Sequence, residues 1–357
     1  MKRRCWVEID LKQLKQNYIT YTGACSQRVL AVVKADAYGH GAIRCARALQ
    51  EAGCNEWAVS CLSEALELRN AGIKGFLLIL GYTPAKFADV LIENDITQAL
   101  VDEEHAESFL GTGVKVQFAI NTGMNRIGLN SDNPDETASI IRKYAGKLNL
   151  NGIFTHLCVA DTPSEDEFTK NQLSRFKAVA ERISDLNLPY IHCMNTAGGL
   201  SREPYGSFVR LGISLYGLRP DTCFKIPDGI KPVIKWKVFV ATVFKVKTGE
   251  TIGYGRTFKA DRDMDVATIT VGYADGLSRS LSNKGYAFLN NKKCPIVGRV
   301  CMDQTMIDVT GLKIRQGDEI ELLNEYYTAE EMARDCNTIS YEIVSGITKR
   351  VEREYVS

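Results

Sequence analysis

Ala31-Val-Val-Lys-Ala-Asp-Ala-Tyr-Gly-His-Gly41 runs from a short apolar segment into a lysine, then into a glycine-rich turn carrying a tyrosine. The apolar segment reads as a buried strand and the glycine-containing segment as the turn that ends it. Lys34 therefore stands at a strand's C-terminal end, where an amine loses part of its hydration. Partial desolvation favours the neutral form, which adds to an aldehyde, so Lys34 is a candidate Schiff-base lysine. Taken alone, the residue also fits an ordinary charge at an exposed strand end.

Outward from this stretch, residues 30–217 alternate short apolar runs with amphipathic segments. Strands are expected at Val29–Val33, Glu56–Ser60, Gly75–Leu80, Gln98–Val101, Lys115–Ile120, Leu148–Thr155, Tyr190–Met194 and Phe208–Leu215. Helices are expected at Ala42–Ala52, Ser63–Ala71, Thr137–Tyr144 and Lys170–Leu186. Strand followed by helix, repeated, points to a parallel α/β barrel, although periodicity alone leaves six to nine strands. Beyond residue 230 the texture changes. Val233–Lys247 alternates over a long stretch, and β-branched runs predict antiparallel strands at Val266–Val271, Ala287–Leu289, Thr305–Val309 and Glu319–Leu323. One short helix is expected at Ala329–Arg334.

The 357 residues suffice for two domains, or a barrel with an appendage. A net charge of +1 without a basic stripe gives no reason to expect nucleic acid. No apolar run approaches the roughly 20 residues that span a bilayer. Met1-Lys-Arg-Arg-Cys-Trp6 lacks the apolar stretch of a secretory signal. The 11 cysteines are scattered with no Cys-x-x-Cys pair, a pattern of free thiols in a reducing compartment rather than disulfides or a zinc site. Cytoplasm is the expected location, and no metal is expected. Cys158 and Cys301 read as small buried fillers.

A series of motifs follows the Lys34 stretch along the chain. They are Asn121-Thr-Gly-Met-Asn-Arg-Ile-Gly128, Phe154-Thr-His156, Met194-Asn-Thr196, Val209-Arg-Leu-Gly-Ile213 with Leu215-Tyr-Gly217, and Gly253-Tyr-Gly255. Val271-Gly-Tyr-Ala-Asp-Gly276 and Gly298-Arg-Val-Cys-Met-Asp-Gln304 come later, and Trp6-Val-Glu-Ile-Asp-Leu11 precedes them all. In this order they resemble the alanine racemase family of pyridoxal 5'-phosphate (PLP) enzymes over nearly the whole chain. The resemblance implies a (β/α)8 barrel over 12–230 and a mostly antiparallel β domain over 231–357, joined by an N-terminal strand within 1–11. It also implies an enzyme that interconverts L- and D-alanine for cell-wall synthesis, working as a head-to-tail homodimer on a small amino-acid substrate.

Racemisation removes the α-proton and replaces it on the opposite face. The cofactor makes that proton acidic, and the protein must supply a base on each face, a grip on the carboxylate and control of the ring nitrogen. By resemblance, Lys34 holds the cofactor as an imine and is the base toward the D-enantiomer, at the barrel face where catalytic groups gather. Tyr254 matches the second base. A phenol of pKa about 10 needs cationic neighbours at neutral pH, and His156 and Arg210 match residues that provide them. Arg210 also matches the donor to the pyridine nitrogen; arginine only donates, so that nitrogen stays unprotonated and racemisation is favoured over transamination.

Asn195, Thr196, Gly212 and Ile213 match a phosphate site in the loops after the last two strands, and Tyr38 matches a further phosphate contact. Arg126 matches a residue touching both the cofactor's ring hydroxyl and the substrate carboxylate. The Met302 backbone matches the rest of that grip, with Tyr273 and Asp303 at the entrance. Tyr254, Tyr273, Met302 and Asp303 are implied to come from the partner subunit. His40, His105 and His192 receive no role.

The chain departs from the family pattern in two places. Many members carry a carbamylated lysine where Ala119 stands and an aspartate where Asn121 stands; a neutral Asn121 with a chloride or water is the expected substitute beside Arg126. Some members carry a tyrosine at Lys349, so that position either widens the pocket toward serine or is a surface charge near the phosphate. Three rivals follow: a serine/alanine racemase of vancomycin-resistance type, a decarboxylase on the same architecture, and a non-catalytic PLP-carrier protein.

Overall fold

A computed structural model describes residues 4–25 and 27–356. The basic start Met1–Arg3, read above for a signal, lies outside the described residues. The chain divides into two compact units. One comprises the described residues within 14–37 and 42–230, the other those within 1–13, 38–41 and 231–357.

The first unit is a parallel barrel. Its strands run in the order Met194–Asn195, Phe208–Leu211, Arg28–Val32, Glu56–Val59, Phe76–Ile79, Thr97–Leu100, Lys115–Asn121, Asn149–Phe154 and Tyr190–His192. The first and last members are one strand interrupted at Cys193, so the sheet nearly closes on itself as a (β/α)8 barrel. These strands read as apolar runs because they are buried on both faces: Leu30, Trp57, Leu78, Phe118, Ile153 and Phe208 are fully buried. The helices between them bury one stripe each. Ala42–Glu51, for instance, buries Ala42, Cys45, Ala46 and Leu49 at three- and four-residue spacing.

Two expected strands end early at the barrel's C-terminal rim. The first stops at Val32, and the chain then turns left-handed from Ala35 to Tyr38. The last stops at Leu211, where Gly212 bends the chain into a 3-10 turn, Ile213–Tyr216, closed by left-handed Gly217. The Tyr216 hydroxyl donates to the Val32 carbonyl at 3.0 Å, which fastens that turn beneath the Lys34 segment.

The second unit is a mostly antiparallel sheet in the order Lys292–Pro295, Tyr286–Leu289, Glu319–Leu323, Ile234–Val246, Cys5–Asp10 and Glu352–Val356. Met264–Ile269 also pairs with Ile234–Val246 and with Thr305–Asp308. Cys5–Asp10 runs antiparallel to Ile234–Val246 and parallel to Glu352–Val356. The helix Ser340–Ser345 and the strand Glu352–Val356 were not anticipated; each is too short for a clear period.

Among the described residues no helix is long and apolar enough to cross a membrane. The cysteines are free, but Cys158 is exposed and Cys301 half-buried, so neither is a buried filler. Both lie in loops beyond the strands whose cores would have hidden them.

Candidate active site

Lys34 leaves its strand through Val33, whose N–H donates to the Ala58 carbonyl. Ala35, Asp36, Ala37 and Tyr38 follow with φ of 51°, 53°, 53° and 53°. A left-handed residue that is not glycine is strained by roughly 1–2 kcal/mol, so the turn must be held from outside. Ala35 N–H donates to Glu64 Oε1 at 2.6 Å, and Ala42 N–H to Asp36 Oδ1 at 2.7 Å. The second Glu64 oxygen accepts from the Ser60 N–H at 2.7 Å and from its hydroxyl at 3.0 Å. Glu64 thus ties the turn to the end of the neighbouring strand. Burial, and then Arg126, hold the Lys34 amine below its ordinary pKa, with Glu64 opposing them.

Arg210 is buried in the barrel and meets no carboxylate among the described residues. Nη1 donates to His192 Nδ1 at 2.7 Å, and Nη2 donates to the Thr155 carbonyl at 2.6 Å and to His156 Nδ1 at 3.3 Å. Its Nε makes no hydrogen bond among the described residues. Burial pulls the guanidinium down to about 10, which leaves it charged at neutral pH.

His156 is pushed down to about 3 by burial, then by Arg210, Arg126 and Lys34. The expectation that His156 is a cation is therefore corrected: it is neutral. Since Nδ1 accepts from Arg210, the proton is assigned to Nε2. Lys34, Arg126 and Arg210 all act electrostatically on His156, so positive charge gathers around this imidazole, a setting suited to anions.

Thr196 Oγ1 accepts from the Gly212 N–H at 3.0 Å, so that N–H is not open to a phosphate, contrary to expectation. The Thr196 hydroxyl proton remains available to donate. Asn195 is engaged at both ends of its amide, accepting from Gly198 N–H and donating to the Leu157 carbonyl, which makes it the cap of the helix Thr196–Ser201. Ile213 opens the 3-10 turn beside Gly212. Arg126 is exposed and has no side-chain partner among the described residues.

Asn121 makes no direct hydrogen bond to Arg126 among the described residues. Its amide oxygen accepts from Gly123 and Asn125 N–H, and its nitrogen donates to Asn125, all within its own turn. Ala119 packs with Ala99, Phe154, Leu80 and Ile127, an apolar cluster.

The other unit carries the remaining candidates. Tyr38 is buried, its ring 6.0 Å from that of Tyr341. Gly39 follows at φ 82°, where a Cβ would meet the Val344 carbonyl oxygen at 2.2 Å, so only glycine fits. Tyr254 sits on a 3-10 turn between Gly253 and Gly255 and is 71% exposed. Tyr273 and Met302 are also exposed. Tyr273 N–H donates to the Cys301 carbonyl and Ala274 N–H to that of Met302, which joins the two loops; the Met302 N–H has no partner among the described residues. Asp303 accepts from Arg350 at 2.7 Å. Lys349 is exposed with no polar contact among the described residues.

Three residues in or around this constellation carried no signal in the sequence. His192, buried between Arg210 and Gln117 Oε1 (2.8 Å), read as a packing histidine. Gln117 and Glu64 lie in ordinary strand and helix patterns. His105 and His40 are buried, the first satisfied by the Thr83 carbonyl at 2.9 Å.

Two family models match, "Alanine racemase, N-terminal domain" over residues 9–220 and "Alanine racemase, C-terminal domain" over 233–355. An alanine racemase of Halothermothrix orenii is 37% identical over 99% of this chain and 97% of its own length. One from Helicobacter pylori is 37% identical over the full length of both. Among solved structures, alanine racemase of Clostridium difficile superposes with a TM-score of 0.93 at 31% identity, covering 100% of this chain and 96% of that one. That of Bartonella henselae, solved with pyridoxal phosphate covalently bound, superposes with a TM-score of 0.90 at 31% identity, covering 99% and 100%.

Proposed function

The chain belongs to the alanine racemase family, and we propose on that premise that it interconverts L- and D-alanine with pyridoxal 5'-phosphate as its cofactor. When bound, the cofactor supplies the electron sink that acidifies the substrate's α-proton. The observation that carries the reading is Arg210, a buried cation that has, among the described residues, no carboxylate beside it and no partner for its Nε–H. That donor suits an unprotonated ring nitrogen.

The remaining residues fit the same cofactor. The Lys34 amine, held below its ordinary pKa, more readily loses the proton that blocks addition to an aldehyde. The Thr196 hydroxyl, already accepting from Gly212, has its own proton left for a phosphate oxygen. Asn195 fixes the helix start that carries Thr196, and Ile213 and Tyr38 complete the proposed phosphate contacts. Arg126, without a side-chain partner among the described residues, holds the substrate carboxylate together with the Met302 N–H.

Proton movement falls to Lys34 on one face and Tyr254 on the other. Neutral His156 donates from Nε2 toward the phenolate, and Arg210 lends it charge through Nδ1. Tyr254, Tyr273, Met302 and Asp303 are exposed or half-exposed in their own unit, which supports delivery to a second copy of the chain in a homodimer with two shared sites. Free thiols throughout the chain support a cytoplasmic location.

The test is α-proton exchange in D2O followed by NMR, on L-alanine and L-serine separately, with PLP supplied. Fast exchange and inversion of alanine is expected. Comparable inversion of serine would shift the substrate reading toward the serine/alanine type and give Lys349 a part in it. No exchange on either substrate would overturn the racemase reading.

A further inference from the structure

The barrel interior carries a polar chain that the roles above do not use to its end. Arg210 Nη1 lies 2.7 Å from His192 Nδ1, and His192 Nε2 lies 2.8 Å from Gln117 Oε1. All three residues are buried, and the His192 ring stacks on Phe154 at 5.3 Å. Arginine only donates, so Nδ1 must be bare, and a neutral His192 must carry its proton on Nε2. That proton needs an acceptor. Gln117 offers its carbonyl oxygen, and turning the amide round would set two donors face to face.

The choice has a visible consequence. With Oε1 committed to His192, the buried Gln117 Nε2 has no hydrogen-bond partner among the described residues. Leaving such a group unpaired costs roughly 1–3 kcal/mol, a penalty that a leucine at the same place would avoid. The strand pairing is also irregular at this side chain. The pairing of Lys115–Asn121 with Asn149–Phe154 shifts register between Val116 and Gln117, and Gln117 lies opposite Gly152. A Cβ on Gly152 would stand 3.0 Å from Gln117 Cδ and 2.2 Å from the Tyr190 carbonyl oxygen.

We infer that Gln117 is a positioning residue: it fixes the Nε2–H tautomer of His192, so that Nδ1 anchors Arg210 and holds its Nε toward the cofactor ring. The inference rests on the function proposed above only for what Arg210 faces. The chain of hydrogen bonds stands without it. Gln117→Met keeps length and bulk while deleting the acceptor, and Gln117→Glu keeps an acceptor.

The experiment is 15N NMR of the PLP-loaded protein with labelled histidine, four residues in all, with the His192 signals assigned by loss in His192→Gln. Steady-state racemisation of alanine is measured alongside. Wild-type His192 is expected as the Nε2–H tautomer, with Nδ1 shifted by its donor. In Gln117→Met both ring signals should move and kcat fall about tenfold, the worth of one buried hydrogen bond, with KM within about twofold. Gln117→Glu should recover part of kcat.

A wild-type His192 protonated on Nδ1 overturns the inference even if no variant folds. So does a folded Gln117→Met with unmoved His192 signals and unchanged kcat. If wild-type protein racemises nothing while the His192 signals still respond to Gln117→Met, the function reading fails and the positioning of Arg210 by Gln117 stands.

Discussion

Replacing Glu64 by glutamine tests whether the Lys34 turn is held as its contacts indicate. The carboxylate accepts from Ala35 N–H at 2.6 Å through one oxygen and from Ser60 N–H at 2.7 Å through the other. An amide has a single oxygen, so one of these N–H groups would face an NH2 and go unpaired. A hydrogen bond to a charged group contributes roughly 1.5–3 kcal/mol, so Glu64→Gln should lower stability by about 2 kcal/mol. The turn it releases carries four left-handed residues, a strain of roughly 4–8 kcal/mol that favours local opening.

Charge is lost as well as geometry. Glu64 is the one influence that raises the Lys34 pKa against burial and Arg126, so the variant's amine should give up its proton at lower pH than the wild type. For a folded pKa below the unfolded one, stability is full above the ordinary lysine range and is lost as pH falls toward the depressed value. The variant extends that loss to lower pH. The assays are the urea midpoint and the pH profile of cofactor addition to Lys34, followed by absorbance. An unchanged midpoint with an unchanged profile would refute the account of this turn.

Two further outcomes follow from the same geometry. His156, held at about 3, leaves stability full above its unfolded value of about 6.5 and lost as pH falls toward 3, with a slope approaching 1.4 kcal/mol per pH unit. His156→Asn should flatten that part of the stability curve measured by urea unfolding from pH 7 to 4, and an unaltered slope would contradict the neutral assignment. Ala119→Lys should lower stability by roughly 2–4 kcal/mol, because the surrounding cluster of Ala99, Phe154, Leu80 and Ile127 offers an ammonium no acceptor. An undiminished melting temperature, with activity raised by bicarbonate, would mean that this barrel accommodates a carbamylated lysine at that position.

The limits of reading this fold from its sequence lie where distant strands meet. Runs such as Val29-Leu-Ala-Val32 announce buried parallel strands because both faces are apolar, and the long alternation after residue 233 announces a sheet with one covered face. Local chemistry made Lys34 a candidate at a strand end, and the resemblance of the surrounding motifs chose it over an ordinary surface charge. Neither was enough for the turn that follows, since Ala35-Asp-Ala-Tyr38 contains no glycine and its positive φ is held by contacts such as that of Ala35 N–H with Glu64.

His192 shows the harder limit. Along its own strand it is one polar residue in an apolar run, indistinguishable from a satisfied core histidine. Its meaning comes from Arg210, 18 residues away, and from Gln117, 75 residues away, which only a closing barrel brings to its two ring nitrogens. A histidine held between an obligate donor and an amide oxygen has one admissible tautomer. In this barrel that constraint, rather than a pattern along any one segment, decides how the buried arginine is held.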